Sequence, residues 1–154
     1  MTMRERLSAA LKAAMKAQEA DRLSALRLIN AAIKDRDIAA RTGEGGEGGV
    51  SDAEILAILG KMVKQRQESA RIYEEGGRLE LAEKELAEIR VIEEFLPRQL
   101  SAAEVEAAID AAVAEVGATG IRDMGKVMGV LKARHTGQMD FAAAGATVKA
   151  RLAG

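Results

Sequence analysis

Three times along this chain a serine or threonine stands three residues ahead of a glutamate: Thr2 with Glu5, Ser51 with Glu54, and Ser101 with Glu104. At that spacing the two side chains can satisfy each other's orphan backbone N–H groups in the first turn of a helix. Asp21 and Asp140 are further candidate N-caps, and Gly76, Gly117 and Gly137 fall where helices should stop. No segment carries the apolar–polar alternation of a strand. The spacing therefore predicts an all-α protein.

Between these signals apolar residues recur at helical intervals. A first helix over about 3–19 places Leu7, Leu11, Ala14 and Met15 on one face, and a second over about 22–41 does the same with Leu23, Leu26, Ile29 and Ile33. A third over about 52–75 carries Ile55, Leu59 and Met62, then Arg66, Ser69 and Tyr73. A fourth over about 78–95 carries Ala82, Leu86, Ile89, Ile92 and Phe95, and the short glycine link makes it an antiparallel hairpin with the third. Pro97, the one proline, halts the helical path. The domain boundary is placed there, giving an N-terminal long-helix domain over 1–96 and a C-terminal domain over 97–154. The latter offers helices at about 102–116, 121–135 and 141–152, enough for a small three-helix bundle. Its apolar sets are Val105, Ile109, Ala112 and Val116, then Ile121, Met124, Met128 and Leu131, then Phe141, Gly145, Val148 and Leu152. With only Tyr73, Phe95 and Phe141 as aromatics, the cores must be aliphatic.

Several classes of function find no support in the residues. The chain has no cysteine, so neither disulfide nor thiolate chemistry is available. Its longest uncharged stretch is the eight residues from Phe141 to Val148, far below the ~20 that a membrane span needs. No membrane partner is expected. The N-terminus lacks the continuous apolar segment of a secretory signal, Glu5, Glu19 and a regular stripe favour a first helix over a basic amphipathic presequence, and a cytoplasmic location is expected. The run TGEGGEGG, residues 42–49, lacks the Lys-Ser/Thr ending of a phosphate-binding loop and carries Glu44 and Glu47, so it reads as a linker. His135, the sole histidine, continues the apolar stripe of its helix and has no neighbour at metal-ligand spacing. It reads as a partly buried histidine at a helix C-terminus. The expected catalytic set, metal site and cofactor are each none.

Charge is more informative. A net charge of −1 excludes a globally basic nucleic-acid binder, and no DNA partner is expected. Residues 117–154, however, hold Arg122, Lys126, Lys132, Arg134, Lys149 and Arg151 against only Asp123 and Asp140. Within MGKVMGVLK, residues 124–132, Arg122 and Lys126 point nearly opposite the apolar stripe, with Gly125 and Gly129 between. These glycines either leave a smooth flank of exposed backbone on which a polyanion can approach the cations, or admit a neighbouring helix at short range, the methionines then being core fillers. With three aromatics there is no stacking platform for single-stranded nucleic acid, so any RNA would be held by phosphate and shape. In the hairpin, Arg66 lies on the apolar stripe and requires a carboxylate partner, expected to be Glu83 or Glu85.

Four stretches, LRLINAAIKDRDI (26–38), KQRQESARIYEEGGRLELAEKELAEI (64–89), FLPRQLS (95–101) and MGKVMGVLK (124–132), together resemble the GatB/YqeY family, in its stand-alone YqeY-like form. The resemblance implies an all-α protein with a long-helix N-terminal domain and a small three-helix C-terminal domain. It also implies kinship with the C-terminal tail of the glutamyl-/aspartyl-tRNA amidotransferase B subunit, a carbon–nitrogen ligase component whose tail contacts tRNA. The catalytic body and the partner amidase of that enzyme have no counterpart in 154 residues, so amide transfer by this chain alone is not expected. The expected function is a non-catalytic tRNA-binding accessory module, with amidotransferase or translation-related proteins as further partners. Arg122, Lys126, Lys132, Arg134, Lys149 and Arg151 would contact phosphates, with Gly125 and Gly129 allowing approach. The alternative is a helical protein-interaction adaptor with no direct RNA binding, built on the long hairpin.

Overall fold

The computed structural model describes residues 2–42 and 50–153. Among them the chain forms α1 (Met3–Ala17), α2 (Ala20–Thr42), α3 (Asp52–Glu75), α4 (Leu79–Glu93), α5 (Ala102–Val116), α6 (Met124–Arg134) and α7 (Phe141–Ala153), with a 3₁₀ turn at Ile121–Asp123 leading into α6 and no strand. Ser51 and Ser101 open their helices with full reciprocal capping boxes, while Thr2 supplies one half, accepting from the N–H of Glu5. Asp140 caps α7, its Oδ1 accepting from the N–H groups of Ala142 and Ala143. Asp21 does not cap: α2 begins at Ala20, and Asp21 sits within the first turn, where a carboxylate suits the positive end of the helix dipole. The linker reading of residues 42–49 falls, apart from Thr42, outside the described residues.

The chain divides into two compact units, Met1–Leu96 and Pro97–Gly154. In the first, Leu7 of α1, Leu26 and Ile29 of α2, Ile55 and Leu59 of α3, and Ile92 of α4 form the centre of an aliphatic core. Polar ties close its periphery. Asp37 accepts from Arg4 and from the N–H of Val50. Arg22 pairs with Glu94, and the guanidinium of Arg6 lies 5.6 Å from the centre of the Phe95 ring.

This core takes in α3 only as far as Val63 and α4 only from Val91. From there to Glu75 the hairpin continues as a two-helix arm, roughly 18 Å long at 1.5 Å per residue. Ala70, Ala82 and Ile89 are buried along the arm. It also contains the partner of Arg66, which is Glu88 rather than Glu83 or Glu85: Arg66 Nε donates to Glu88 Oε2 at 2.9 Å. The reason is register. In an antiparallel hairpin, residues equally far from the turn lie level, and Arg66 and Glu88 stand eleven residues either side of Gly77. Glu85 and Glu83 lie closer to the turn by about 4.5 and 7.5 Å of helix rise, and Glu83 bonds Arg90 of its own helix.

In the second unit α5, α6 and α7 pack around Ile109, Val127, Leu131 and Val148, all essentially inaccessible to solvent. The buried face of α6 is rotated from the expected stripe. Val127 and Leu131 are at its centre, Met124 and Met128 are half-buried beside it, and Ile121 is 47% exposed. The extended segment ahead of α5 is clasped to the α6–α7 turn. The N–H of Leu100 donates to the carbonyl of Gln138 at 2.9 Å, the amide of Gln138 donates to the carbonyl of Arg98 at 3.1 Å, and that of Gln99 to the carbonyl of Gly137 at 2.6 Å.

Candidate nucleic-acid interface

The rotation of α6 decides what its glycines do. Gly125, Gly129 and Lys132 follow one another at i, i+4 and i+7, so they form a ridge directly across the helix from Val127 and Leu131. All three are exposed. A Cβ built on Gly125 or Gly129 meets no atom within 4 Å, so no neighbouring helix uses the space they leave. The packing glycine is Gly145 of α7, whose position for a Cβ is 3.7 Å from the methyl of Met124 and 3.8 Å from that of Met128. The methionines thus fill core around Gly145, whereas Gly125 and Gly129 bare the helix backbone to solvent.

Cations surround this bare ridge. Lys132 stands on it, Lys126 projects from its flank, and Arg122 is exposed on the preceding 3₁₀ turn. Asp123 sits between the last two. Its carboxyl is held below the ordinary aspartate value, chiefly by the backbone N–H of Thr119, then by that of Gly120 and by the charges of Arg122 and Lys126. Lys149 is exposed on α7, and no ion pair holds Lys126, Lys132 or Lys149 among the described residues.

Arg134 and Arg151 are differently placed. Arg134 pairs with Glu115, and Arg151 pairs with both Glu106 and Asp110. All three carboxylates belong to α5, which the local charge count from residue 117 onward left out. Their i, i+4 spacing at 106 and 110 was the available signal: it marks one acidic edge of α5, and an arginine late in a neighbouring helix is its natural complement. The six cations therefore fall into an open set of four and a pair already neutralised within the bundle.

His135 caps the C-terminus of α6 and is half-buried, as its position in the sequence implies. Its Nδ1 lies 3.1 Å from Gln138 Oε1. Because the amide nitrogen of Gln138 is committed to the Arg98 carbonyl, that oxygen must face the imidazole, and neutral His135 carries its proton on Nδ1. Arg98 in turn holds Glu104 through two guanidinium nitrogens, each at 2.9 Å. These residues border a shallow, open depression floored by Leu100, Ala107 and Ala108. Among the described residues, no group of three or more histidine, aspartate or glutamate side chains is arranged to hold a metal ion, and no helix is long and apolar enough to cross a membrane.

An aliphatic long-helix unit and a three-helix unit, with no strand among the described residues, define an all-α helical-bundle protein. Residues 4–152, nearly the whole chain, match the family described as YqeY-like protein, and the chain belongs to that family. An uncharacterised protein of Schizosaccharomyces pombe, C22F3.15, is 35% identical over 51 residues, which are 33% of this chain and 42% of that protein. The matched stretch thus spans about two fifths of the length of this relative.

Proposed function

We propose that the C-terminal unit is a non-catalytic tRNA-binding module that grips phosphates with Arg122, Lys126, Lys132 and Lys149. The observation that carries this reading is the empty space over Gly125 and Gly129. A glycine inside a helix costs about 1 kcal/mol relative to alanine. Two of them with no packing return in the fold make sense where something outside the fold must come close. Bare helix backbone between cations lets a sugar–phosphate chain approach to van der Waals distance, and the resemblance to the tRNA-contacting tail of the amidotransferase B subunit points the same way. Phosphate and shape recognition suits a structured RNA and needs no aromatic platform. A role alongside amidotransferase or translation-related proteins in the cytoplasm belongs to the same proposal.

Binding of the purified protein to bulk tRNA across a salt series tests it. The logarithm of the association constant should fall linearly with the logarithm of salt concentration, with a slope corresponding to roughly three or four phosphate contacts. The double variant Arg122→Glu, Lys126→Glu should abolish binding while its circular dichroism stays helical. No binding at low salt, or unchanged affinity in the double variant, would sink the assignment.

A further inference from the structure

Lys126 and Lys132 stand three residues before and three residues after Gly129. At about 100° per residue that spacing sets them about 60° to either side of it, on opposite flanks, and about 9 Å apart along the helix axis. Both are exposed, and no ion pair holds either among the described residues. Ala133, exposed one turn beyond Gly129, carries the bare strip onward, so Gly125, Gly129 and Ala133 run obliquely between the two lysines. A Cβ on Gly125 or Gly129 meets nothing within 4 Å. The outer face of α6 is therefore a low backbone strip with one cation on each side.

That shape selects among nucleic-acid surfaces. Two phosphate backbones bordering a wide, shallow floor lined with 2′-hydroxyls make the minor groove of an A-form RNA duplex. The A-form major groove is deep and narrow. The B-form minor groove, about 6 Å wide, does not admit a helix. The B-form major groove does, but it is read by side chains that reach base edges, and Gly125, Gly129 and Ala133 have none that can. Single strands are gripped by stacking, and α6 has no aromatic residue. Solvent-facing helix carbonyls tilt outward and keep a second lone pair, so a bare strip offers acceptors to 2′-hydroxyl donors.

Resting on the tRNA reading above, we propose that α6 seats in the minor groove of a base-paired RNA stem. Lys126 meets the phosphates of one strand and Lys132 those of the other. The strip of Gly125, Gly129 and Ala133 lies against the 2′-hydroxyls between them. The module then takes a stem by its A-form shape, without reading its sequence, and separates RNA from DNA through the 2′-hydroxyl.

The test uses the full chain and measures fluorescence anisotropy with an RNA duplex of about sixteen base pairs. The DNA duplex of the same sequence, the fully 2′-O-methylated RNA duplex and a single-stranded oligouridine of equal length are compared with it, and bulk tRNA is titrated in parallel. The RNA duplex should bind at least tenfold more tightly than the DNA duplex or the single strand, and 2′-O-methylation should remove most of that advantage. Gly129→Gln, which raises the floor without changing charge, should bring the RNA-to-DNA affinity ratio close to one. Ala133→Gln gives a second, milder obstruction should Gly129→Gln lose its helical circular dichroism. Lys126→Gln and Lys132→Gln should each lower the salt slope for the RNA duplex by about one contact. Equal affinity for the two duplexes, tighter binding of the single strand, or an unchanged ratio in both glutamine-obstructed variants overturns the proposal. Binding of tRNA without any preference for the RNA duplex overturns this inference alone and leaves the tRNA reading standing; no binding of tRNA or of any duplex overturns both.

Discussion

Arg66 and Glu88 meet across the hairpin with Nε 2.9 Å from Oε2 and each side chain only 15% exposed. A second guanidinium nitrogen of Arg66 donates to the carbonyl of Met62 at 3.2 Å. The pair closes the seam at the point where the aliphatic core has already ended, so it holds the base of the arm together.

Removing one partner should therefore be worse than removing both. Glu88→Ala strands a largely desolvated guanidinium and is expected to cost about 2 kcal/mol in chemical denaturation. Arg66→Met combined with Glu88→Leu should recover most of that loss. A double variant no more stable than Glu88→Ala would show that the pair contributes through more than mutual compensation.

The bare ridge of α6 separates stability from binding. Neither Gly125 nor Gly129 has a positive φ, and a Cβ at either meets nothing. Gly125→Ala and Gly129→Ala should each stabilise the protein by about 0.5–1 kcal/mol while weakening tRNA binding. Thermal unfolding and the binding assay on the same two variants check this. A more stable protein with undiminished affinity would remove the role given to the glycines.

The helices and their limits were legible in sequence because caps, glycine stops and Pro97 act locally. The capping boxes at Ser51 and Ser101 each mark a helix start to the residue. What escaped the sequence depends on how helices meet. The partner of Arg66 is fixed by hairpin register. The rotation of α6 is fixed by the space over Gly145 on α7, into which Met124 and Met128 reach from the side of the buried face. The masking of Arg134 and Arg151 comes from α5, whose acidic edge only tertiary packing brings beside them. For the candidate interface, sequence supplied the cations and the glycines. It could not say that the glycines face open solvent or that two of the six cations are spoken for.

That masking has its own consequence. If the surface binds phosphate, the α5 carboxylates compete for Arg151. Glu106→Gln with Asp110→Asn should free it, raise tRNA affinity severalfold at low salt and steepen the salt dependence by about one contact. Arg151→Gln should leave wild-type affinity nearly unchanged, since its charge is already engaged. An Arg151→Gln loss as large as that of Lys126→Gln would place Arg151 among the primary contacts.

Acid should loosen the start of α5. The hydrogen bonds from Arg98, followed by those of Ser101, hold the Glu104 carboxyl at about 2, below the ordinary glutamate value of 4.5. A carboxyl whose folded value is depressed stabilises the fold above its unfolded value, and that contribution is lost as pH falls from about 4.5 toward 2. Carboxyl-detected NMR should find the low midpoint in the intact protein, and Arg98→Ala should move it upward. A midpoint at the ordinary value would show that the Arg98 fork does not persist in solution.

The clasp joining residues 98–100 to 137–138 makes the three-helix unit a closed ring of chain rather than an open string. One polar fastening ties its first segment to the α6–α7 turn, and one apolar centre ties α5 to α6 and α7. A nick in the loop between α5 and α6 would cut the ring once and leave both fastenings in place. The unit is thereby suited to reassembly from two pieces, each bringing one side of the clasp and part of the core.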